Sequence, residues 1–145
     1  MNSKEGQDRL AQRLIGKRGY FLDIGCDRPH ADNNTYSLEK LGWTGILVDI
    51  NRVRVEECKE QRTSLACQID CNVFTRIDWI CLLESNNTPT VIDYMSVDVD
   101  GACSSFIRNF PFDRYEFKLM TYETDFYRCG STRKDAAVTV FRQYP

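Results

Sequence analysis

Four short apolar runs in this chain each end in an acid. Tyr20-Phe21-Leu22 closes on Asp23, Gly45-Ile46-Leu47-Val48 on Asp49, the run from Val91 on Asp98 with Asp100, and the run from Phe117 to Tyr122 on Glu123 with Asp125. A carboxylate at the end of a buried strand can accept hydrogen bonds from ligand hydroxyls, pair with a cation or take up a proton. Asp49 stands roughly 20 residues or a little more beyond the first run, where an acid commonly accepts from the two ribose hydroxyls of an adenosine-containing cofactor. Asp23, beside a glycine at Gly25 that lets backbone approach a ligand, suits a cofactor bearing an ammonium group, although Asp-x-Gly after a strand also serves as a simple turn. Asp98 and Asp100, two apart, are expected to share one face of a strand and to position an acceptor or a divalent metal, with turn and capping roles as the alternative. Asp98, Asp100, Glu123 and His30 are the candidate proton acceptors. His30, the single histidine, titrates nearest neutral pH, and the competing expectation for it is a solvated loop side chain.

These acids need a scaffold that brings them to one edge. Leu10, Ala11, Leu14 and Ile15 recur at helical spacing and predict an amphipathic helix before Gly16. The run from Tyr20 predicts a strand, and Thr35 to Leu41 a helix stopped by Gly42. Gly45 to Asp49 predicts a second strand and Arg52 to about Arg62 a charged helix. Ser64 to Ile69 predicts a third strand, and Thr75 to Glu84 a helix with Ile77, Ile80, Cys81 and Glu84 on one face. Strands follow at Val91 to Val99 and Phe117 to Tyr122, and the pattern of Ala137, Val140, Phe141 and Tyr144 favours a helix at the end. Alternating β and α elements of this length predict a parallel sheet with helices on both faces, in a single domain over residues 1–145. In such a sheet ligands bind beyond the carboxyl ends of the strands, where strand order reverses.

Composition narrows the field further. The formal net charge is −2, from 19 basic and 21 acidic side chains, and the basic residues are scattered rather than gathered into a stripe for a phosphate backbone, so nucleic acid is not an expected partner. No apolar run approaches the roughly 20 residues that span a bilayer, and Met1 to Gln7 does not resemble a secretory signal, so no membrane partner is expected and a cytoplasmic setting is the default. Seven cysteines then read as packed thiols. Cys67 and Cys71 lack the paired spacing of a zinc site, and no metal is expected. Without G-x-G-x-x-G or a P-loop, NAD and nucleotide triphosphates are disfavoured.

Phe21-Leu22-Asp23-Ile24-Gly25 is followed by Asn34-Thr35-Tyr36 at a helix start and by Gly42-Trp43-Thr44-Gly45 leading into the strand that ends at Asp49, with Gly6-Gln7-Asp8 upstream and Ile92-Asp93-Tyr94-Met95-Ser96-Val97-Asp98-Val99-Asp100-Gly101 downstream. On these residues the chain resembles the FkbM-type methyltransferases. The resemblance implies a Rossmann-like class I methyltransferase fold, truncated after about the fifth strand, with S-adenosyl-L-methionine as methyl donor and a hydroxyl of a sugar, glycan or small metabolite as acceptor. It places Asp23 and Gly25 at the methionine end, Asn34 and Thr35 as a helix cap beside the cofactor, Asp49 at the ribose and Asp98 near the sulfonium. The chain departs from the family pattern at Pro29, where relatives have glycine, at Asp49-Ile50-Asn51, where a glutamate and Pro-Asn are usual, and at Thr124, where a histidine is common.

The competing expectation is a non-catalytic module of the same fold that serves in binding or assembly. A sheet that stops at the fifth strand leaves an apolar edge. The expected remedies are a homodimer through that edge or a cover formed by Ala136 to Tyr144.

Overall fold

The computed structural model describes residue 3, residues 5–124, residue 128 and residues 130–143; Asp125 and Tyr144 lie outside the described residues. Its elements run α1 (Gln7–Ile15), β1 (Tyr20–Ile24), α2 (Tyr36–Lys40), β2 (Thr44–Asp49), α3 (Arg52–Gln61), β3 (Leu65–Gln68), α4 (Arg76–Ser85), β4 (Val91–Val97), a 3-10 turn (Asp100–Ala102), α5 (Cys103–Asn109), β5 (Glu116–Tyr122) and α6 (Thr132–Phe141). The five strands form one sheet in the order β3-β2-β1-β4-β5, every pair parallel. Strand order reverses between β1 and β4, which opens a crevice at their carboxyl ends.

Alternation along each strand divides the core in two. Leu22, Ile24, Ile46, Val48, Met95 and Val97 face Trp79 and Leu83 of α4 and Phe106 of α5. Phe21, Leu47 and Tyr94 face the opposite side, against Ala11, Leu38, Val55 and Cys58 of α1 to α3. The first face is aromatic: the Trp79 ring meets Phe74 edge-on at 4.8 Å and Phe106 at 5.5 Å between centroids. Edge contacts of this kind add about 0.5–1.5 kcal/mol each beyond the area they bury. The Gly-Trp-x-Gly stretch is explained by packing. Trp43 is fully buried, a Cβ on Gly19 would come within 2.7 Å of its ring, and a Cβ on Gly45 would strike the Phe21 carbonyl.

The structure corrects several expectations about faces. In α1 the buried residues are Asp8 and Ala11, while Leu10 and Leu14 are exposed. The Asp8 carboxylate accepts from the Ser37 hydroxyl at 2.6 Å, so a polar tie holds this helix where an apolar stripe was expected. In α4 the buried residues are Trp79 and Leu83, and Ile77 and Cys81 are exposed. The helix begins at a capping box between Thr75 and Asp78, and the bulk of Trp79 and Leu83 decides which side turns to the core. Helix α5 lies in a segment with no helix in the sequence reading. Its Cys-Ser-Ser-Phe-Ile-Arg-Asn sequence is short, and its apolar residues Cys103, Phe106 and Ile107 join the cluster that also holds Trp79 and Leu83 of α4. Strand β4 ends at Val97, and Asp100 has φ +44, so the two-residue alternation does not relate Asp98 to Asp100.

Beyond β4, strand β5 is the end of the sheet among the described residues. Helix α6 confirms the helical reading of the final segment. Its Phe141 ring meets those of Phe112 and Tyr122, and a groove of about 840 Å³ runs between α6 and β5. Among the described residues no helix is long and apolar enough to cross a membrane.

Candidate functional site

The turn after β1 sets the geometry of the site. Gly25 has φ +91, and a Cβ there would collide with the Asp98 carbonyl, so only glycine lets the two strand ends meet. The amides of Gly25 and Cys26 both donate to the Val48 carbonyl, at 2.8 and 3.0 Å, and the Asp98 amide donates to the Ile24 carbonyl at 2.8 Å. These bonds carry the sheet one residue past its strands and bring the tips of β1, β2 and β4 together.

Two clefts open at this edge and share Gly25, Asp27 and Asp98 as a common wall. The first, of about 680 Å³, extends across β2 and β3 and is bordered by Asp49, Asp70, Asn72 and Asp100. The second, of about 660 Å³, extends toward β5 and is bordered by Asp32, Asn34, Ser96 and Glu123. Among the described residues no lysine or arginine lines either cleft. Nor does any group of three or more histidine, cysteine, aspartate or glutamate side chains converge as metal ligands among them.

Asp49 lies where the strand pattern placed it. Its Oδ2 accepts from the Asp27 amide at 2.8 Å and its Oδ1 from the Asn51 amide at 2.8 Å. Each oxygen keeps a lone pair for a further donor. Asp98 is exposed at the common wall, and Asp100, in the first cleft, forms an ion pair with Arg128 at 3.6 Å. Asn34 borders the second cleft, where its Nδ2 donates to the Ser96 hydroxyl at 2.8 Å. Gly25, Asn34, Asp49, Asp98, Asp100 and Glu123 are thus brought together at one edge.

Asp23, Thr35 and His30 are not. Strand alternation turns Asp23 toward the α1–α3 side, where it is 1% exposed and lines neither cleft. Its Oδ2 accepts from the Thr35 hydroxyl at 2.6 Å, while Oδ1 has no hydrogen-bond partner. Burial pushes its carboxyl up to about 6, against the pull of the Thr35 hydroxyl and the Arg62 guanidinium. Thr35 is buried as well, and its side chain does not cap α2. That task falls to Asn33, whose Oδ1 accepts from the amides of Thr35 and Tyr36 at 2.9 and 2.8 Å. His30 lies against the Tyr36 ring, 4.4 Å between centroids, and lines neither cleft. Pro29 is buried and also lines neither, so it does not obstruct the site as its substitution for glycine suggested.

Beneath the clefts is a buried ionic layer that the sequence reading missed. The Arg62 side chain is 0% exposed and pairs through Nε with Glu39 Oε1 at 3.0 Å. Its Nη1 donates to the Pro29 carbonyl at 3.0 Å and to Asn33 Oδ1 at 3.2 Å, and its Nη2 donates to the Thr35 hydroxyl at 3.2 Å. Glu39 also accepts from the amides of Thr63 and Ser64 at 3.1 Å and from the Ser64 hydroxyl. These hydrogen bonds and Arg62 hold the Glu39 carboxyl below its ordinary value in spite of burial. One sequence signal was available: Arg54, Cys58 and Arg62 are spaced four apart, which aligns them along one side of a helix. All three reach residues 26–33, since Arg54 pairs with Asp27 at 3.1 Å and the Cys58 thiol lies 3.8 Å from the Asp27 carbonyl.

The residues present fit S-adenosylmethionine. The glycine cradle at Gly25 admits a ligand against backbone, Asp49 offers a carboxylate to a ribose diol, and acids line the cleft with Asp27 and Asp100 paired to Arg54 and Arg128 while Asp49 and Asp98 face it as carboxylates, which suits a donor bearing a sulfonium and an ammonium. The same lining is unsuited to the pyrophosphate of a dinucleotide, which calls for basic or helix-terminal donors. No protein-family model matches the chain, and no curated protein matches it in sequence. In three dimensions it is similar to the crystal structure of a TehB-like SAM-dependent methyltransferase from Corynebacterium glutamicum, with a TM-score of 0.65 at 13% identity, over 93% of this chain and 71% of that one. The chain therefore has a Rossmann-like methyltransferase fold, built on a five-stranded parallel sheet.

Proposed function

We propose that this protein is an S-adenosylmethionine-dependent methyltransferase acting on a hydroxyl of a sugar or small metabolite. One observation carries the proposal: two clefts of ligand size meet at the strand-order reversal and share the Gly25–Asp98 wall, with no basic residue among the described residues lining either. The methyltransferase-like fold supports the donor, and the sequence resemblance to FkbM-type enzymes at Phe21–Gly25 and Gly42–Gly45 motivates a hydroxyl acceptor.

When bound, S-adenosylmethionine supplies an electrophilic methyl group for in-line transfer. The first cleft would hold the donor, where Asp49 would accept from the ribose hydroxyls and Gly25 would allow close backbone approach. The second cleft receives the acceptor, which Asn34 and Ser96 orient through their hydrogen-bonding side chains. A carboxylate oxygen of Asp98, at the common wall, or of Glu123, deeper toward β5, takes the hydroxyl proton. His30, away from both clefts, has no part in the reaction.

Titration calorimetry with S-adenosylhomocysteine tests the donor site, and transfer of labelled methyl to a panel of sugars and small alcohols tests the acceptor. Binding together with transfer is the expected result. Binding without transfer to any acceptor identifies a non-catalytic module of the same fold, and absence of binding refutes the proposal.

A further inference from the structure

Two buried thiols lie behind the wall that the clefts share. Cys26 follows Gly25 directly and is 3% exposed, and Cys58, in the middle of α3, is 0% exposed. Their sulfurs share a hydrogen bond at 4.0 Å. Elsewhere among the described residues, Cys71 is a buried thiol pushed up to about 12 by burial, the Cys103 thiol donates to the Glu123 carbonyl at 3.9 Å, and Cys81 is exposed on α4.

We propose that Cys26 and Cys58 form a reversible dithiol–disulfide pair that ties the oxidation state of the protein to the shape of the donor cleft. The pair is placed for this role by its neighbours. Helix α3 already grips residues 26–33 at three levels, through Arg54 on Asp27, Cys58 on Cys26 and Asp27, and Arg62 on Pro29 and Asn33. A disulfide would make the middle tie covalent and draw the sulfurs from 4.0 Å to about 2.05 Å. The residues that absorb this movement are Gly25 and Asp27, which form the common wall, and the Asp27 amide is a ligand of the Asp49 carboxylate.

The chemistry of the pair is asymmetric. The hydrogen bond with Cys26 and the Arg62 guanidinium lower the Cys58 thiol below its ordinary value despite burial, and the same bond, with burial, pushes Cys26 up. Cys26 borders the second cleft, which gives a small oxidant such as hydrogen peroxide a route to the sulfurs. One thiolate attacks a peroxide oxygen: an S–O bond forms, the O–O bond breaks, and the departing hydroxide leaves as water with the thiol proton. The second sulfur attacks the sulfenic sulfur: the S–S bond forms, the S–O bond breaks, and the second hydroxide leaves as water with the remaining thiol proton. Two electrons pass from the two thiols to one peroxide, and a dithiol reductant reverses the change by exchange.

The effect on donor binding rests on the methyltransferase reading, whereas disulfide formation does not. The fully reduced chain is treated with stoichiometric hydrogen peroxide, then alkylated and mapped as peptides without reduction. Before alkylation the expected product is about 2 Da lighter than the reduced chain, and it carries a Cys26–Cys58 linkage that reverts with dithiothreitol. In it, amide exchange of residues 26–33 slows, and S-adenosylhomocysteine binds about tenfold more weakly than to the reduced chain. Cys58→Ser and Cys26→Ala each abolish the linkage and both responses to peroxide. If Cys26 and Cys58 remain unlinked in the folded, peroxide-treated chain, the pair is refuted. A linkage that leaves amide exchange and affinity unchanged refutes its coupling to the cleft. A chain that binds no S-adenosylhomocysteine in either state but links and slows its exchange retains the redox pair and refutes the methyltransferase reading.

Discussion

Replacing Asp23 by asparagine removes a charge from a site that does little to solvate it. The carboxylate is 1% exposed, has one oxygen bonded to Thr35 and the other unpartnered, and titrates at about 6 in the folded chain against an ordinary 3.8. A folded pKa above the unfolded one means that folding binds a proton, so ionised Asp23 destabilises the fold. This penalty is fully present above about pH 6 and fades as pH falls toward 3.8. Relative to a permanently neutral group it amounts to about 3 kcal/mol at about pH 7.5 and about 1.6 kcal/mol at about pH 5. The new amide leaves its own N–H groups short of partners, at a cost of about 1 kcal/mol that does not vary with pH. The difference between the two conditions is therefore the firm quantity: Asp23→Asn gains about 1.4 kcal/mol relative to the wild type on going from about pH 5 to about pH 7.5. Urea unfolding of both proteins at each pH measures it, provided the m-values agree. An equal effect at both pH values, or a larger gain at the lower one, would show that Asp23 does not carry a buried charge.

Asp49→Ala should weaken S-adenosylhomocysteine binding by about 1–3 kcal/mol, the range for losing charge-assisted hydrogen bonds; calorimetry showing equal affinities removes Asp49 from the donor site. Arg62→Ala leaves Glu39 buried without its cation and should cost about 3–5 kcal/mol in stability. Denaturant unfolding checks the value, and a loss under 1 kcal/mol would place the pair among surface ion pairs. Trp79→Ala empties the centre of the aromatic face and should cost about 3–5 kcal/mol, read as a lower unfolding midpoint at constant m-value. His30→Ala should leave S-adenosylhomocysteine affinity and methyl transfer at wild-type levels, and a large loss of transfer would return His30 to the reaction.

The sequence by itself determined the order of the five strands and of every helix but α5, the parallel sheet and the acids that close its strands, because strand length, apolar runs and terminal Asp or Glu are local features. Gly25, Asp49, Asp98 and Glu123 were legible for that reason. Tertiary structure alone decided which face each helix buries. Leu10 and Ile77 satisfy helical spacing and are nonetheless exposed, since α1 turns Asp8 inward to Ser37 and α4 turns Trp79 and Leu83 into the core. It also decided that Asp23 and Thr35 are buried and line neither cleft. Strand alternation gives Asp23 a side, but only the packing of α2 and α3 makes that side a closed interior. Arg62 shows the limit most clearly. An arginine at the end of a charged helix ordinarily remains in solvent, and here it is buried because Glu39, Pro29, Asn33 and Thr35, remote in sequence, converge on its guanidinium. Hydrogen-bond partners contributed by separate elements leave no periodic trace along the chain.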